Sequence, residues 1–234
     1  MDQARATQAL TSLSAALVGP DDALSRATGL LGQCRDVLGA DASAILVLAG
    51  SDLELFVASS HAATQLELHQ TRLAQGPCED AVAGRTIVQA DGRDELHQRW
   101  PDFAPAMLDT GFSSVRAAPL MWRDTAMGAL VLYARQPGEM DAGESTVLGA
   151  FADIATAMLL QTPDLSTEDL AARIRRVLSE RVMLEQAKGV MAERVGCDME
   201  AAHLHILDHA AATGVSLTSA AATILAEAVR LQHE

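Results

Sequence analysis

Six basic residues fall between residues 173 and 194 of this chain. They are Arg173, Arg175, Arg176, Arg181, Lys188 and Arg194. Three acidic residues lie in the same segment, whereas residues 164–234 as a whole carry 7 basic and 11 acidic residues. Six cations over a few helical turns can follow a phosphate backbone. The alternative is a solvated helix whose charges pair four residues apart, as in Arg176 and Glu180.

The centre of this segment has the pattern of a contact surface. Lys188 is the single lysine, and the other 16 basic residues of the chain are arginines. Arg181 lies seven residues earlier, so Arg181, Glu185 and Lys188 share one face of a helix. Ala187 and Gly189 flank the lysine, and such small residues let a bulky partner approach the backbone closely.

A second candidate site lies in the first part of the chain. Residues 92–111 carry bulky apolar side chains in a stretch that we predict to be an irregular loop, and loops of this length are usually functional or mobile. Aromatic and methionine side chains over a sheet would line a small-molecule pocket, or they would plug the open sheet. The candidate pocket residues are Cys78, Trp100, Phe103, Met107, Arg116 and Tyr133.

The three cysteines are widely spaced. Cys34, Cys78 and Cys197 form no C-x-x-C pair, so the sequence predicts neither a disulfide framework nor a zinc site. Cys78 lies near the start of a predicted helix, where the helix dipole favours a thiolate. Glu79 and Asp80 follow at once and oppose that charge, so we expect a buried, unreactive side chain.

The remaining motifs predict no catalytic or metal centre. His205 and His209 share a helix face with His203 nearby, but no carboxylate or cysteine is placed to complete a metal site. The chain has no phosphate-binding glycine loop and no hydrolase motif. We therefore expect no enzyme activity, and no cofactor is predicted.

Composition and charge exclude further classes of protein. Of the 234 residues, 49% are hydrophobic and 21% are charged, which is ample for a core and argues against disorder. The net charge of −14 argues against nonspecific coating of nucleic acid or of anionic membrane. The apolar stretch over residues 147–160 is short and contains Asp153, so we predict no transmembrane helix. No secretory signal is visible, and we expect a cytoplasmic protein.

Proline and aromatic residues divide the chain into two parts. All seven prolines lie at or before Pro163, and all seven aromatic residues lie at or before Phe151. The segment after Pro163 is rich in alanine and can only be a compact helical unit. We place the boundary at Gln161–Asp164, which gives predicted domains over residues 1–160 and 161–234.

The first predicted domain mixes helices with strands. Helices are predicted over 3–17, 22–38, 77–83 and 142–160, and strands over 44–48, 53–59, 86–90, 113–121 and 126–134. Strands in hairpins with helices at the ends indicate an α+β fold with an antiparallel sheet. The second domain contains three predicted helices, over about 166–195, 199–212 and 217–234, and the first of them begins at a capping box of Ser166 and Asp169.

The predicted helix over 142–160 has an apolar stripe close to heptad spacing. Its members are Val147, Phe151, Ile154, Met158 and Leu159. Such a stripe pairs with its equivalent in a second chain, with the helix over 3–17 joining the bundle, or it packs on the back of the sheet within one chain.

Both parts of the chain resemble known families. Residues 181–189, RVMLEQAKG, and the following VMAERVG resemble the ANTAR domain, a three-helix RNA-binding module of transcription antiterminators, and the match continues through MEAAH and TGVSLTSAAATILAEAV. Residues 1–160 resemble the GAF sensor domain that commonly precedes it in actinobacterial proteins. The matching pieces are GPCEDAVAGRTIVQADGRDE, RWPDFAPAMLDTGFSSVRAAPL and MGALVLYARQPGEM.

These resemblances imply a fold and a function. The implied fold is α+β, with a GAF-like antiparallel sheet flanked by helices, followed by an all-α three-helix domain. The implied RNA is a pair of short stem-loops, each with a six-nucleotide loop, whose binding prevents an overlapping terminator from forming. Two loops call for two modules and hence for a homodimer, and the sensor domain implies an unidentified small-molecule effector. The implied RNA contacts are Arg181, Gln186, Ala187, Lys188, Gly189 and Arg194.

The second predicted helix of the C-terminal domain departs from the ANTAR pattern. The family usually has an aromatic residue after the alanine, where this chain has Ala202 and His203, and often a basic residue where this chain has Leu207. Base stacking would then fall to His203, His209 or arginine.

Two other functions remain open from the sequence. The acidic balance of residues 164–234 favours a metabolite-sensing protein whose helical tail docks a protein partner. An enzyme similar to GAF-like methionine sulfoxide reductases would have to rest on Cys34 and Cys78, which lie far apart in the sequence.

Overall fold

The computed structural model describes residues 2–18, 22–160 and 166–231 of the chain. The sheet unit consists of α1 Gln3–Ala16, α2 Ala23–Leu38, β1 Ala42–Ala49, β2 Asp52–Ala58, α3 His61–Leu73, α4 Pro77–Gly84, β3 Val88–Asp91, α5 Gly92–Arg99, α6 Ala104–Asp109, β4 Ser114–Trp122, β5 Thr125–Ala134 and α7 Ala142–Leu160. The three-helix unit consists of α8 Thr167–Val195, α9 Met199–Thr213 and α10 Leu217–Leu231. The predicted α+β class followed by an all-α unit is confirmed.

The sheet has five strands in the order β2-β1-β5-β4-β3, and every neighbouring pair is antiparallel. All five predicted strands are present, with bounds that shift by one or two residues. The predicted hairpin between β4 and β5 turns at Arg123 and Asp124, and Arg123 adopts a positive φ of 54°. Short turns join β1 to β2 and β4 to β5, and a tight turn can join only antiparallel neighbours.

Alternation along the strands gives the sheet two buried faces. Ile45 and Val47 of β1 point to the face that α1, α2 and α7 cover, here called the α2–α7 face. Ala44 and Leu46 point to the opposite face, which α3, α4, α5 and α6 cover, here called the α3–α6 face. Because side chains alternate with a period of two, β1, β2, β4 and β5 each contribute to two separate hydrophobic clusters, whereas β3 contributes to that of the α3–α6 face alone.

Helices α8 and α9 begin and end within one residue of their predicted bounds, and α10 begins at the predicted Leu217. The predicted end of α10, at residues 232–234, lies outside the described residues. Ser166 and Asp169 form the capping box, in which the Ser166 hydroxyl accepts from the Asp169 backbone N–H. Gly196 and Gly214 end α8 and α9 in the left-handed conformation, which glycine adopts without a steric penalty. Asp198 caps α9 by accepting from the backbone of Ala201.

The two units share one continuous hydrophobic cluster. Leu170, Ile174 and Val177 of α8 are buried together with the residues of the α2–α7 face. The first half of α8 therefore completes the core of the sheet unit, while its second half packs with α9 and α10. The predicted boundary at Gln161–Asp164 lies outside the described residues.

The prediction of an irregular loop over residues 92–111 is wrong, because this segment contains α5 and α6. Helix α5 buries only Leu96, so it lacks the apolar periodicity that predicts a helix from a sequence. Acidic residues in its first turn and basic residues in its last turn favour the helix through its dipole. Helix α3 was not predicted either, because the polar residues Glu67 and Gln70 lie on its buried face.

The apolar stripe of α7 packs within the chain. Phe151, Met158 and Leu159 are buried in the cluster of the α2–α7 face, and Val147 and Ile154 are partly buried against it. Of the two predicted roles for this stripe, the structure shows packing on the back of the sheet. Among the described residues, α7 is also long and apolar enough, at a mean hydropathy of 1.2, to cross a membrane. This hydropathy is that of a core helix, because Phe151, Met158 and Leu159 pack into the core of the chain.

We expect the Phe151→Ala variant to lower the free energy of unfolding by about 3–5 kcal/mol, because it leaves a cavity between α7 and the sheet. Urea denaturation followed by circular dichroism measures the change. Asp153→Ala, on the exposed side of the same helix, is the control and should change stability by less than about 0.5 kcal/mol. Equal effects of the two substitutions would contradict the packing of α7 described above.

Candidate nucleic-acid interface and sensor pocket

Arg181 and Lys188 face the sheet unit. Both lie on the side of α8 that packs against β2 and the start of α3, as the seven-residue spacing predicts for a shared face. Only 4% of the surface of Lys188 is exposed. Its Nζ lies 2.9 Å from each carboxylate oxygen of Glu185 on the same helix. The ion pair compensates part of the cost of burying the ammonium group.

A narrow crevice separates the two units at this point, and its free volume of about 10 Å³ holds about one water molecule. The three-helix unit lines it with Arg181, Leu184, Glu185, Lys188, Met199, Glu200 and His203. The sheet unit lines it with Leu24, Leu55, Phe56, Val57, Ala58, Ser60, His61 and Thr64. Among these described lining residues, the acidic ones belong to the three-helix unit alone, so the sheet unit covers Lys188 without offering it a carboxylate.

His203 lies deep in the same crevice. It is 7% exposed, and its Nδ1 has no hydrogen-bond partner among the described residues. Burial, followed by the positive charge of Lys188, lowers the pKa of His203. The neutral imidazole is therefore favoured in this arrangement.

Helix ends supply the polar contacts between the units. Glu200 of α9 accepts a hydrogen bond of 2.7 Å from the His61 backbone N–H, at the start of α3. Arg173 of α8 donates through Nε to the carbonyl of Leu159 in the last turn of α7, at 3.0 Å. Each contact satisfies a backbone group that a helix leaves unpaired at its end.

A third cap joins the starts of α2 and α10. Asp22 accepts from the backbone N–H groups of Ser25, at 2.7 Å, and of Thr218, at 3.0 Å, so one carboxylate caps both helices. The Ser25 hydroxyl accepts from the Leu217 backbone N–H at 2.9 Å. Burial opposes ionisation of Asp22, but these hydrogen bonds outweigh it and lower the pKa of the carboxyl.

The six predicted RNA contacts do not form one surface in this arrangement. Gln186 and Gly189 are exposed on another side of α8, and a Cβ at Gly189 would meet no heavy atom within 4 Å. Ala187 is fully buried in the hydrophobic cluster. Arg194 is half-exposed and pairs with Glu227 of α10 at 2.9 Å. Arg181 and Lys188 are thus the two that lie together, in the crevice.

The other histidines of α9 point to solvent. His205 and His209 are exposed, unlike His203. No group of three or more histidine, cysteine, aspartate or glutamate side chains in the described part of the chain is placed to hold a metal ion.

Five of the six predicted pocket residues meet on the α3–α6 face. Cys78, Trp100, Phe103, Met107 and Tyr133 are buried in a single cluster there. The Trp100 indole donates to Asp80 at 3.0 Å, and the ring of Tyr133 stacks on that of Phe112 at 5.5 Å between centroids. In the structure described here, these side chains fill the face themselves.

Arg116 lies apart from this cluster. It is partly exposed on β4 and donates to the backbone carbonyl of Gly138 at 2.6 Å. Its position in the alternation of β4 explains the separation, because Val115 and Ala117 on either side point into the α3–α6 cluster.

The carboxyl group at the centre of this cluster was not predicted from the sequence. Glu67 of α3 is fully buried and accepts hydrogen bonds from the Tyr133 hydroxyl and the Gln70 amide, both at 2.6 Å. Burial raises the pKa of Glu67 to about 8, although both hydrogen bonds act to lower it. The sequence signal was the spacing of Ala63, Glu67 and Gln70, which places an acid and an amide on the face of α3 that also carries a buried alanine.

Gln70 links this carboxyl to α4. Its side-chain carbonyl accepts from the backbone N–H of Cys78 at 3.1 Å. A Cβ at Gly76 would lie 2.1 Å from that oxygen, so only glycine allows Gln70 to reach the start of α4. Burial, followed by the charges of Glu67 and Glu79, raises the pKa of the Cys78 thiol, which agrees with the expected unreactive side chain.

Family comparison identifies both units. The GAF domain model matches residues 22–159, and the ANTAR domain model matches residues 172–225. The chain is a GAF–ANTAR protein. The GAF domain lies in the sheet unit and the ANTAR domain in the three-helix unit, so the family resemblance and the GAF-like fold predicted from the sequence are confirmed.

Solved structures that resemble this GAF–ANTAR protein share its GAF fold. The GAF domain of an Acinetobacter phosphoenolpyruvate-protein phosphotransferase has a TM-score of 0.52 at 14% identity, over 68% of this chain and 93% of that one. Free methionine-R-sulfoxide reductase from Neisseria meningitidis has a TM-score of 0.51 at 15% identity, over 69% and 92%. The phycoerythrobilin-bound GAF domain of a cyanobacterial phytochrome has a TM-score of 0.51 at 15% identity, over 67% and 95%. No curated protein is significantly similar in sequence.

A GAF domain followed by an ANTAR domain is the arrangement of a sensor-regulated regulator of the antiterminator type. Both domains are regulatory modules, although some proteins with the GAF fold are enzymes. In this GAF–ANTAR protein Cys34 lies in the cluster of the α2–α7 face and Cys78 in that of the α3–α6 face, so the sheet separates the two thiols.

The raised pKa of Glu67 makes folding stability depend on pH. The folded chain holds this proton up to about pH 8, whereas the unfolded chain loses it near 4.5, so its contribution to stability is greatest below 4.5 and is lost as the pH rises to 8. We expect Glu67→Gln to remove this loss, which has a slope of up to about 1.4 kcal/mol per pH unit.

Urea denaturation of the Glu67→Gln variant and of the unaltered chain at several pH values between 5 and 8 measures the difference. Glu54→Gln, on the exposed side of β2, is the control and should follow the unaltered chain. Parallel stability curves for all three proteins would show that Glu67 is ionised throughout this range.

Proposed function

We propose that this GAF–ANTAR protein is an RNA-binding transcription antitermination regulator, in which the GAF domain controls the ANTAR domain. The proposed RNA is a pair of stem-loops with six-nucleotide loops in a nascent transcript. The match of the ANTAR domain model to residues 172–225 carries this proposal. The placement of Arg181 and Lys188 side by side on α8 supports it, because paired cations on one helix face suit a phosphate backbone.

The net charge of −14 is compatible with this function. An RNA loop is recognised through its shape and its unstacked bases, and much less through bulk electrostatics. Lys188 would contact a phosphate or a base edge beside Arg181, and the exposed Gly189 would let the loop approach α8 closely. Because His203 is buried, the exposed His209 and the arginines of α8 are the better candidates for stacking on bases.

Two loops require two ANTAR modules, so we propose that the protein acts as a cytoplasmic homodimer. The apolar stripe of α7 packs within the chain, so the dimer would form through another surface. A small-molecule effector of the GAF domain would have to displace the side chains that fill the α3–α6 face. The polar groups it would meet there are Glu67, Gln70 and Tyr133.

We expect the purified protein to bind a hairpin-pair RNA with two six-nucleotide loops more tightly than a stem-only RNA of equal length. Lys188→Ala should weaken binding to the hairpin pair by about tenfold or more, because it removes a cation from the contact face. Fluorescence anisotropy at constant salt measures both affinities.

Arg230→Ala is the matched control, since it removes one exposed cation from α10 of the same unit. Its effect on the affinity should be much smaller than that of Lys188→Ala. Equal affinity for loops and stems, both in this protein and in a variant with Asp22→Ser and Ser25→Ala, would contradict the RNA-binding function. It would favour a helical tail that docks a protein partner.

A further inference from the structure

The crevice between the units covers the face of α8 that carries Arg181 and Lys188, two of the six proposed RNA contacts. Lys188 is 4% exposed, and the crevice holds about one water molecule. A phosphate oxygen must come within about 3 Å of Nζ to accept a hydrogen bond. An RNA loop therefore cannot reach Lys188 while β2 and the start of α3 lie against α8.

We propose that the arrangement described here is a closed state, in which the GAF domain occludes the RNA-contact face of α8 and competes with RNA for it. This inference rests on the proposed function. The occupant of the face is a segment of the chain itself, formed by β2 and the N-terminal ends of α2 and α3. RNA binding then requires that the second half of α8 separates from this segment.

The cover is steric and not electrostatic. The part of the sheet unit that lines the crevice contributes no carboxylate among the described residues, and Lys188 keeps its ion pair with Glu185 of its own helix. The positive charge of Lys188 is therefore not matched by the surface that covers it. A phosphate backbone offers this charge a partner that the sheet unit does not offer, so RNA favours the open state.

The closed state depends on caps that cross between the units. Asp22 and Ser25 of the sheet unit bind the first backbone N–H groups of α10, and Glu200 of the three-helix unit binds the start of α3. Water can replace these partners after separation. Helix α10 also retains a cap of its own, because the Ser216 hydroxyl accepts from the Ser219 backbone N–H.

The caps provide a way to open the protein without touching the RNA-contact face. In the opened variant, Asp22→Ser keeps a short acceptor for the start of α2, since serine is a good N-cap residue. It removes the second carboxylate oxygen, which reaches Thr218. Ser25→Ala removes the acceptor for Leu217. Both positions lie outside the residues assigned to RNA contact.

The matched control makes the same pair of changes at another helix start of the sheet unit. Asp141 accepts from the Glu144 backbone N–H at the start of α7, and Ser145 lies in the following turn. Asp141→Ser with Ser145→Ala removes the same charge and the same hydroxyl group. Among the described residues, no hydrogen bond or ion pair joins these two side chains to the three-helix unit.

The single lysine gives a readout that does not depend on RNA. An amine-specific acylating reagent modifies Lys188 only when the side chain is accessible, and mass spectrometry of the peptide that contains Lys188 gives the rate. The chain terminus is on a separate peptide and serves as the internal standard. We expect slow labelling of the unaltered protein and of the control, and labelling about tenfold faster in the opened variant, in proportion to its open fraction.

The same proteins are then titrated with the hairpin-pair RNA. We expect the opened variant to bind about tenfold more tightly than the unaltered protein and the control, because its binding-competent fraction is larger. Bound RNA should protect Lys188 of the opened variant from the reagent.

The outcomes separate the closed state from the proposed function. Rapid labelling of Lys188 in the unaltered protein would overturn the closed state, even if RNA binds. Faster labelling of the opened variant without a gain in RNA affinity, in a protein that does bind hairpin loops, would also overturn it. Failure of every variant to distinguish loops from stems, with Lys188 accessible in the opened variant, would overturn the proposed function instead.

Discussion

The unpaired backbone groups at helix ends determine how the two units of this protein meet. A helix leaves its first N–H groups and its last C=O groups without internal partners, and burying them unpaired is costly. The starts of α3 and α10 and the last turn of α7 all lie at the contact between the units, and each is capped by a side chain from the other unit. The capping side chains thereby define the relative position of the units, whereas the apolar cluster shared by the units supplies the buried apolar surface of the contact.

The two faces of the sheet have different neighbours, and alternating residues of the strands point to one face or the other. Its α2–α7 face is continuous with the core of the three-helix unit, and its α3–α6 face encloses the buried carboxyl of Glu67. The GAF fold thus places the buried carboxyl and the contact with the three-helix unit on opposite faces of one sheet.

Features with strong local signals could be predicted from the sequence. The five strands, the capping box at Ser166 and the glycine ends of α8 and α9 follow from alternation, side-chain chemistry and backbone freedom, and all were confirmed. Helix α5 was missed because a single buried leucine gives no periodicity. The position of Cys78, Trp100 and Tyr133 on one face of the sheet could be predicted from the helices and strand that carry them. The role of Glu67 could not, because residue types alone do not reveal that this carboxyl is buried. The covering of Lys188 was equally hidden, since it arises from residues more than a hundred positions apart.

Helix α3 contacts the three-helix unit at its start and carries the buried carboxyl of Glu67 further along. Its first residue, His61, is held by Glu200 of the three-helix unit, and Glu67 lies six residues further along the same helix. At 1.5 Å per residue, this separation is about 9 Å along a single rigid rod. The buried carboxyl and the domain contact are therefore joined through the backbone of one helix, with no strand of the sheet between them.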